Sequence, residues 1–206
     1  MIAAIVRSYH LTDFLKDVIK QFDWIDKVLV VNQMFLGYEP AEDDTEEIVK
    51  KLNQPNVELL KLPPMLEHEG LNEAIKYLKD YDFIYLCDAD EFYKPGDLKK
   101  LLELFSDEST GIDNQGMGRM VDVHPDGSEH DRGEHRPIVI IRPTLEFYYQ
   151  RCAYGTPRLM DITMRHYGYS LKDMKWKLGQ YIKTGRPEEV IMEKEEFYTA
   201  REVADR

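Results

Sequence analysis

Cysteine is scarce in this 206-residue chain, and the two that occur, Cys87 and Cys152, lie far apart. No disulfide framework is expected, and a reducing, cytoplasmic location fits that usage. Glycine is missing altogether before Gly37. Neither the Gly-x-x-x-x-Gly-Lys-(Ser/Thr) segment of a P-loop nor the Gly-x-Gly-x-x-Gly dinucleotide fingerprint is present, which excludes those two ways of cradling phosphates. No apolar run approaches the roughly 18–20 residues of a membrane span. The opening, Met1 to Arg7, has neither a basic n-region nor a long apolar stretch, so a first strand is expected there rather than a signal peptide. Positive charge is short as well: 27 Lys and Arg face 39 Asp and Glu, a formal net charge of −12. That balance argues against bulk binding to nucleic acid and leaves room for a local basic site. No Ser/His/Asp order suggests a hydrolase triad, and no internal repeat or low-complexity linker divides the chain.

Apolar material suffices for one good core, at 43% hydrophobic and 11% aromatic, and is too abundant for a disordered chain. Buried, partly β-branched runs at residues 2–7, 27–32, 57–60 and 83–87 read as strands. Helical spacing lies between them. Phe14, Leu15, Val18, Ile19 and Phe22 form one apolar stripe, with Thr12 as its cap. Residues 45–52 and 70–79 form the next two helices, and Pro95 opens a fourth through Leu98, Leu101, Leu102 and Phe105. Strands that are apolar throughout, alternating with helices, predict an α/β fold with a mostly parallel sheet covered on both faces. Ligands of such sheets lie beyond the carboxyl ends of the strands. That rule points to residues 7–10, 32–34, 66–72 and 88–91. After about Ser109 the pattern changes. Residues 111–136 are rich in Gly, Asp, His and Arg, and residues 137–142, 146–154 and 159–165 read as extended. Residues 171–182 and 188–206 read as helices.

The most chemistry is carried by Leu86-Cys87-Asp88-Ala89-Asp90-Glu91-Phe92. Three carboxylates directly after a buried strand repel one another unless a cation sits between them, and hard oxygen ligands suit Mg²⁺ or Mn²⁺. In an extended chain Asp88 and Asp90 share a face and could grip one ion with its phosphates. The competing reading is a solvated acidic turn that caps the helix after Pro95. Cys87 reads as a small buried hydrophobe.

This segment resembles the Asp-x-Asp motif of nucleotide-sugar glycosyltransferases with the GT-A fold, most like the family 2 type. Other stretches agree in order. Ala4 to His10 resembles the first strand and its nucleotide-facing loop, with Arg7 and His10 departing from the usual Pro-x-Tyr-Asn. Val28 to Asn32 resembles the second strand, with Asn32 where an Asp normally contacts the base or ribose. Glu69-Gly70-Leu71-Asn72 is similar to a Gly-x-x-x-x-Asn segment, in compressed form. Arg165-His166-Tyr167-Gly168-Tyr169 resembles a late His-x-Gly-Tyr element. The resemblance implies a GT-A, Rossmann-like single domain with a small acceptor-side C-terminal part. Residues 1–109 would be the nucleotide-sugar half and 110–206 the acceptor side. Asp88, Asp90 and His166 would hold Mn²⁺ or Mg²⁺, and Arg7, Tyr9, His10, Asn32, Asn72 and Asp88 would hold the donor, a UDP- or GDP-sugar. The acceptor is open between glycan, lipid carrier, protein and nucleic-acid base, and a homodimer is compatible with the short acceptor part.

Charge is unevenly spread. Within residues 165–187, Arg165, Lys172, Lys175, Lys177, Lys183 and Arg186 face only Asp173, a local +5, so the rest of the chain carries −17. Lys172 and Lys175 are the expected diphosphate contacts; the alternative is a solvated helix face paired with the acidic C-terminus. Inverting transfer needs a general base, and Asp122, Asp126, Asp131, Glu134 and Asp161 are the candidates, with Asp161 and Glu134 foremost; Glu91 would assist through a water or the donor sugar. The histidines His124, His130 and His135 fit no zinc-module spacing, and Pro125, Gly127 and Gly133 make that stretch a loop. Two other functions compete: a sugar-1-phosphate nucleotidyltransferase, disfavoured by the glycine-free N-terminus, and a catalytically degenerate transferase serving as a binding subunit.

Overall fold

Side-chain alternation along the first strands sets up the whole fold. In the computed structural model, which describes residues 1–10, 12–106, 114–133, 136–149, 151–154, 157–168 and 174–183, β1 (Ile2–Ser8), β2 (Lys27–Asn32), β3 (Val57–Lys61) and β4 (Phe83–Asp88) form. They pair in parallel, in the order β3-β2-β1-β4. Ala4, Val6, Val28, Val30, Tyr85 and Cys87 point to one face. There they pack on Leu15, Val18 and Ile19 of α1 (Leu15–Lys20) and on Leu98, Leu101 and Phe105 of α4 (Asp97–Ser106). Ala3, Ile5, Leu29, Val31, Ile84 and Leu86 point to the other. They meet Leu71, Ala74 and Ile75 of α3 (Glu67–Tyr77). A strand buried on both faces must be apolar at every position, which is the pattern these runs show. The remaining early helix is α2 (Thr45–Leu52).

The second half extends the same sheet but changes its character. β6 (Gln115–Val123), β8 (Ile138–Ile141) and β11 (Pro157–His166) continue the order as β4-β8-β6-β11. β8 is antiparallel to both β4 and β6, while β11 is parallel to β6. The short β5 (Glu91–Tyr93) closes this edge antiparallel to β11, and β7 (Glu129–Asp131) pairs antiparallel with β6. The expected α/β fold is borne out, with its parallel sheet qualified by the antiparallel strands of the second half, which make the whole sheet mixed. The expected loop around His124 to His130 is a tight turn that joins β6 to β7, tied by the Gly127 amide on the His124 carbonyl and the His124 amide on the Ser128 carbonyl. Pro125 and Gly127 are turn residues within a hairpin.

One local signal was displaced. Thr12 does not cap α1, whose N-cap is Phe14; its hydroxyl donates instead to Asp44, just before α2. The helix expected over residues 171–182 is described from Met174 to Lys183 as α5, its expected first residues lying outside the described ones, as does the expected C-terminal helix.

A small hairpin, β9 (Phe147–Tyr149) and β10 (Cys152–Ala153), packs on α3. Asn72 fastens it. Its side-chain Nδ2 donates to the Phe147 carbonyl and its Oδ1 accepts from the Phe147 amide, both at 2.9 Å. The side chain thus replaces one residue of a β-ladder. Truncating it strands a buried amide and a carbonyl, at a cost of about 1–3 kcal/mol. Asn72→Ala is expected to lower the unfolding free energy by about that amount in urea titration, whereas an unchanged midpoint would show that the clamp contributes nothing.

Candidate active site

Four strand ends meet at one cleft of about 620 Å³, lined by Arg7, Asp88, Asp90, His166, Trp176 and Lys177 among others. β1 and β4 pair with Arg7 opposite Asp88. That register places the guanidinium on the carboxylate, with Arg7 Nη2 2.6 Å from Asp88 Oδ1. Arg7 also pairs with Glu67, at the start of α3. The far side of Asp88 faces Arg151, which lies in the turn of the β9–β10 hairpin. Arg151 Nη1 stands 2.6 Å from Glu91 Oε1 and 3.4 Å from Asp88 Oδ2. Its Nη2 donates to the carbonyls of Ile138 and Leu86, at 2.8 and 3.2 Å. Burial works against Asp88 as an anion, but the two arginines outweigh it and hold the carboxyl below its ordinary value. Burial pushes Glu91 up, with the neighbouring aspartates adding to it against the pull of Arg151. Burial likewise pushes the Cys87 thiol up, as a small buried hydrophobe requires.

The chain turns at Ala89 and Asp90 rather than continuing extended. Asp88 and Asp90 therefore do not share a face, as alternation along a longer strand would have had it. Asp88 faces Arg7 and Arg151. Asp90, only 7% exposed, faces His166 and Lys177. Strand pairing delivers the histidine: in the β5–β11 register His166 stands opposite Glu91. The Tyr167 amide donates to the Asp90 carbonyl at 2.8 Å. His166 Nε2 lies 3.5 Å from Asp90 Oδ2, and Lys177 Nζ lies 3.6 Å from the same oxygen.

On its other side His166 Nδ1 is 2.7 Å from Asp122 Oδ1. Asp122 in turn accepts from Arg132 Nε and Nη2, at 2.5 and 2.7 Å. Burial opposes the Asp122 charge, but the bonds from His166 and Arg132 prevail and hold the carboxyl well below the usual carboxylate range. A carboxylate so capped is a poor general base. Gly168 completes the enclosure, because a Cβ there would lie 2.2 Å from His166 Cε1.

The loop side of the cleft is built from Tyr9, Tyr38 and α5. The Trp176 ring lies 4.6 Å from that of His10, 5.8 Å from Tyr38 and 6.2 Å from Tyr9. Gln180 Oε1 accepts from the Glu39 amide at 2.7 Å, which ties α5 to the loop after β2. Asp43 gathers the adjoining loops. It accepts from the His10 amide at 3.0 Å, the Thr45 hydroxyl at 2.6 Å and the Asn32 side chain. Burial disfavours its charge, and these bonds lower its carboxyl all the same.

Arg7, Tyr9, Asp88, Asp90, Glu91 and His166 thus come together at one cleft, as expected. His10 and Asn32 stand behind it, spent on Asp43 and Glu42. Asn72 faces the hairpin. Asp161 is exposed on β11 between buried Met160 and Ile162. Glu91 is fully buried under Arg151. Glu134 and Lys172 lie outside the described residues, as does the side chain of Lys175. Sequence reasoning missed Arg151, Arg132 and Asp43, and it counted Asp122 among the candidate bases, whereas His166 and Arg132 engage that carboxylate. It counted Lys177 in the basic patch yet favoured its neighbours; the spacing of Trp176 and Gln180, one helical turn apart, was the available sign of the inward face.

A divalent cation fits the Asp90–His166 pair. Two donor atoms about 2.1 Å from one ion stand about 3.0–3.5 Å apart, and the observed 3.5 Å separation is at the upper end of that range. The pair combines a hard oxygen with an imidazole nitrogen, a mixture Mn²⁺ accepts. Among the described residues no three His, Cys, Asp or Glu side chains converge on one point, so the remaining ligands would come from a substrate and water.

Comparisons with known proteins bear on the fold and the family. No curated protein matches the chain. Among solved structures, the S. aureus TarS fragment 1–349 superposes with a TM-score of 0.54 at 13% identity, over 88% of this chain and 64% of that one. The same fragment in complex with UDP gives 0.55 at 13% identity, over the same 88% and 64%. Full TarS gives 0.54 at 13% identity, over 88% of this chain and 39% of that one. The chain therefore spans less than two thirds of the TarS fragment, and these likenesses concern the fold, which is of the GT-A type. The sequence model of glycosyl transferase family 2 matches residues 10–154. With that match running over more than half of its length, the chain belongs to glycosyl transferase family 2.

Proposed function

We propose that the chain is a glycosyltransferase that moves a sugar from a nucleoside-diphosphate sugar to an acceptor hydroxyl, with inversion at the anomeric carbon. The observation that carries this reading is the convergence of Asp90, His166 and Lys177 within 3.6 Å at the end of β4, in a chain of this family. Asp90 and His166 would hold Mn²⁺ or Mg²⁺, which offsets the charge that builds on a leaving diphosphate. Asp88 is already neutralised by two arginines, so its part is to face the donor and to fix the acidic turn. Lys177, whose ammonium stands beside Asp90, would meet a phosphate oxygen. Trp176, Tyr9 and Tyr38 form an aromatic wall beside the turn after β1, suited to a nucleoside. The UDP in the TarS complex makes UDP the first nucleotide to test.

In the reaction the acceptor oxygen forms a bond to the anomeric carbon while the bond from that carbon to the diphosphate oxygen breaks. The acceptor proton passes to a carboxylate base. Glu91 is sealed under Arg151, Asp122 is engaged by Arg132 and His166, Asp126 and Asp131 are exposed carboxylates, and Asp161 points to solvent, so we take Glu134 as our candidate. Its sequence neighbours Arg132 and Arg136 both line the cleft.

Two measurements check this reading. Thermal shift with UDP or GDP is expected to show stabilisation that requires Mn²⁺ and disappears with a chelator and in Asp90→Ala. Stabilisation by nucleoside triphosphates alone would point to a nucleotidyltransferase instead, and metal-independent stabilisation would remove the cation from the site. Lys177→Met is expected to weaken UDP–Mn²⁺ about tenfold by calorimetry, the loss of one charge-assisted contact. An unchanged affinity would place the diphosphate elsewhere.

A further inference from the structure

His166 is held from behind by a pair of residues that no part of the proposed transfer reaction uses. β6 and β11 run parallel in a register that sets His166 beside Asp122. Asp122 is 1% exposed and His166 9% exposed. An ionised carboxylate offers only acceptors, so the 2.7 Å contact with Asp122 Oδ1 favours the hydrogen of a neutral ring on Nδ1; Arg132 Nη2 is 3.4 Å from the same nitrogen, a far longer contact than its 2.7 Å bond to Asp122. Arg132 takes both oxygens of Asp122 and keeps that carboxylate ionised and unable to rotate. The ring cannot swing away on its other side, because the Gly168 backbone lies where a Cβ would collide with it. The Nε2 lone pair is then left facing Asp90. The separation of 3.5 Å between Nε2 and Asp90 Oδ2 is too long for a good hydrogen bond. It is the arrangement of two electron-pair donors turned toward a shared cation.

We propose that Asp122, clamped by Arg132, is a positioning residue that fixes His166 in the Nδ1-protonated tautomer and so aims Nε2 at the divalent cation beside Asp90. The inference rests on the cation site proposed above. The physical logic is general: a ligating imidazole is a better and better-directed donor when its other nitrogen gives its hydrogen to a carboxylate, and losing that partner costs about 10–100-fold in metal affinity. Asp122 touches neither donor nor acceptor in this scheme. Its effect passes wholly through the ring.

The experiment has two arms. The first reads the tautomer directly, by ¹⁵N NMR of the His166 ring without metal, at a pH where the ring is neutral. Wild-type protein is expected to show a protonated Nδ1 and a bare Nε2, and Asp122→Ala to lose that preference. A wild-type ring protonated on Nε2 would overturn the proposal. The second arm reads Mn²⁺ binding in the presence of UDP, from the decline of the free-ion EPR signal. Asp122→Ala and Asp122→Asn are expected to bind Mn²⁺ at least tenfold more weakly than wild type, with His166→Ala weaker still. If both Asp122 variants, folded by circular dichroism, bind as tightly as wild type while His166→Ala does not, Asp122 has no positioning role. If wild-type protein itself binds no Mn²⁺, the cation site fails rather than its support, and with it the purpose assigned to Asp122.

Discussion

Everything at the cleft depends on one buried exchange of charge, that of Arg7 and Arg151 with Asp88 and Glu91. Burial alone would drive these groups toward their neutral forms, and the carboxylates raise both guanidinium groups against that tendency. Breaking such a cluster from one side leaves an uncompensated charge, at about 3–5 kcal/mol. The cluster is also what joins the two halves of the chain. Arg7 and Asp88 come from neighbouring strands of the first half, whereas Arg151 enters from a hairpin of the second and reaches the carbonyls of Leu86 and Ile138. The acidic turn can be tight because Arg151 neutralises it from beneath. A tight turn, in turn, sends Asp90 away from Asp88 and toward His166.

This explains why the first four strands were legible in the sequence and the site only in part. A strand buried on both faces has no freedom in its composition, so residues 2–7, 27–32, 57–60 and 83–87 could be read directly. The carboxyl-end rule then located Arg7, Asp88 and Asp90 without any knowledge of their contacts. The second half offers no such constraint. β6 carries Gly116, Gly118, Arg119 and Asp122 within a strand that is mostly buried, and its polarity reads as loop. Asp122 is tolerated there because His166 and Arg132 satisfy it, and those partners come from 44 and 10 residues away. Pairing at that range leaves no periodic trace. Asn72 is the converse case: a polar residue at the expected helix start, read as a donor ligand, whose amide is consumed by Phe147.

The extended-chain argument for Asp88 and Asp90 failed for a related reason. It assumed that β4 continues past Asp88, which would have put both carboxylates on one side. The Ala89 amide still bonds the Arg7 carbonyl, and the Asp88 amide bonds Glu91 Oε2. Those bonds fold the segment back into β5. The acidic segment is thus divided between two tasks. Asp88 and Glu91 balance the arginines, and Asp90 alone among the three is turned to His166 and Lys177.

The charge count at the cleft bears on what can enter it. Arg7, Arg132, Arg136, Arg151 and Lys177 face Glu67, Asp88, Asp90, Glu91 and Asp122, so the walls balance within a chain whose formal net charge is −12. A bare diphosphate would add negative charge to a cleft whose cations are already matched by carboxylates, inside a wider acidic field. Among the described residues a bare divalent cation would meet only Asp90 and a histidine, with Lys177 3.6 Å from the same oxygen. Brought together, the cation and the diphosphate cancel most of each other's charge, and each supplies what the walls lack for the other. On the proposed reading, the +5 of residues 165–187 therefore acts through Lys177 at one point. Selection is for the cation–diphosphate pair as a unit rather than for anions in general.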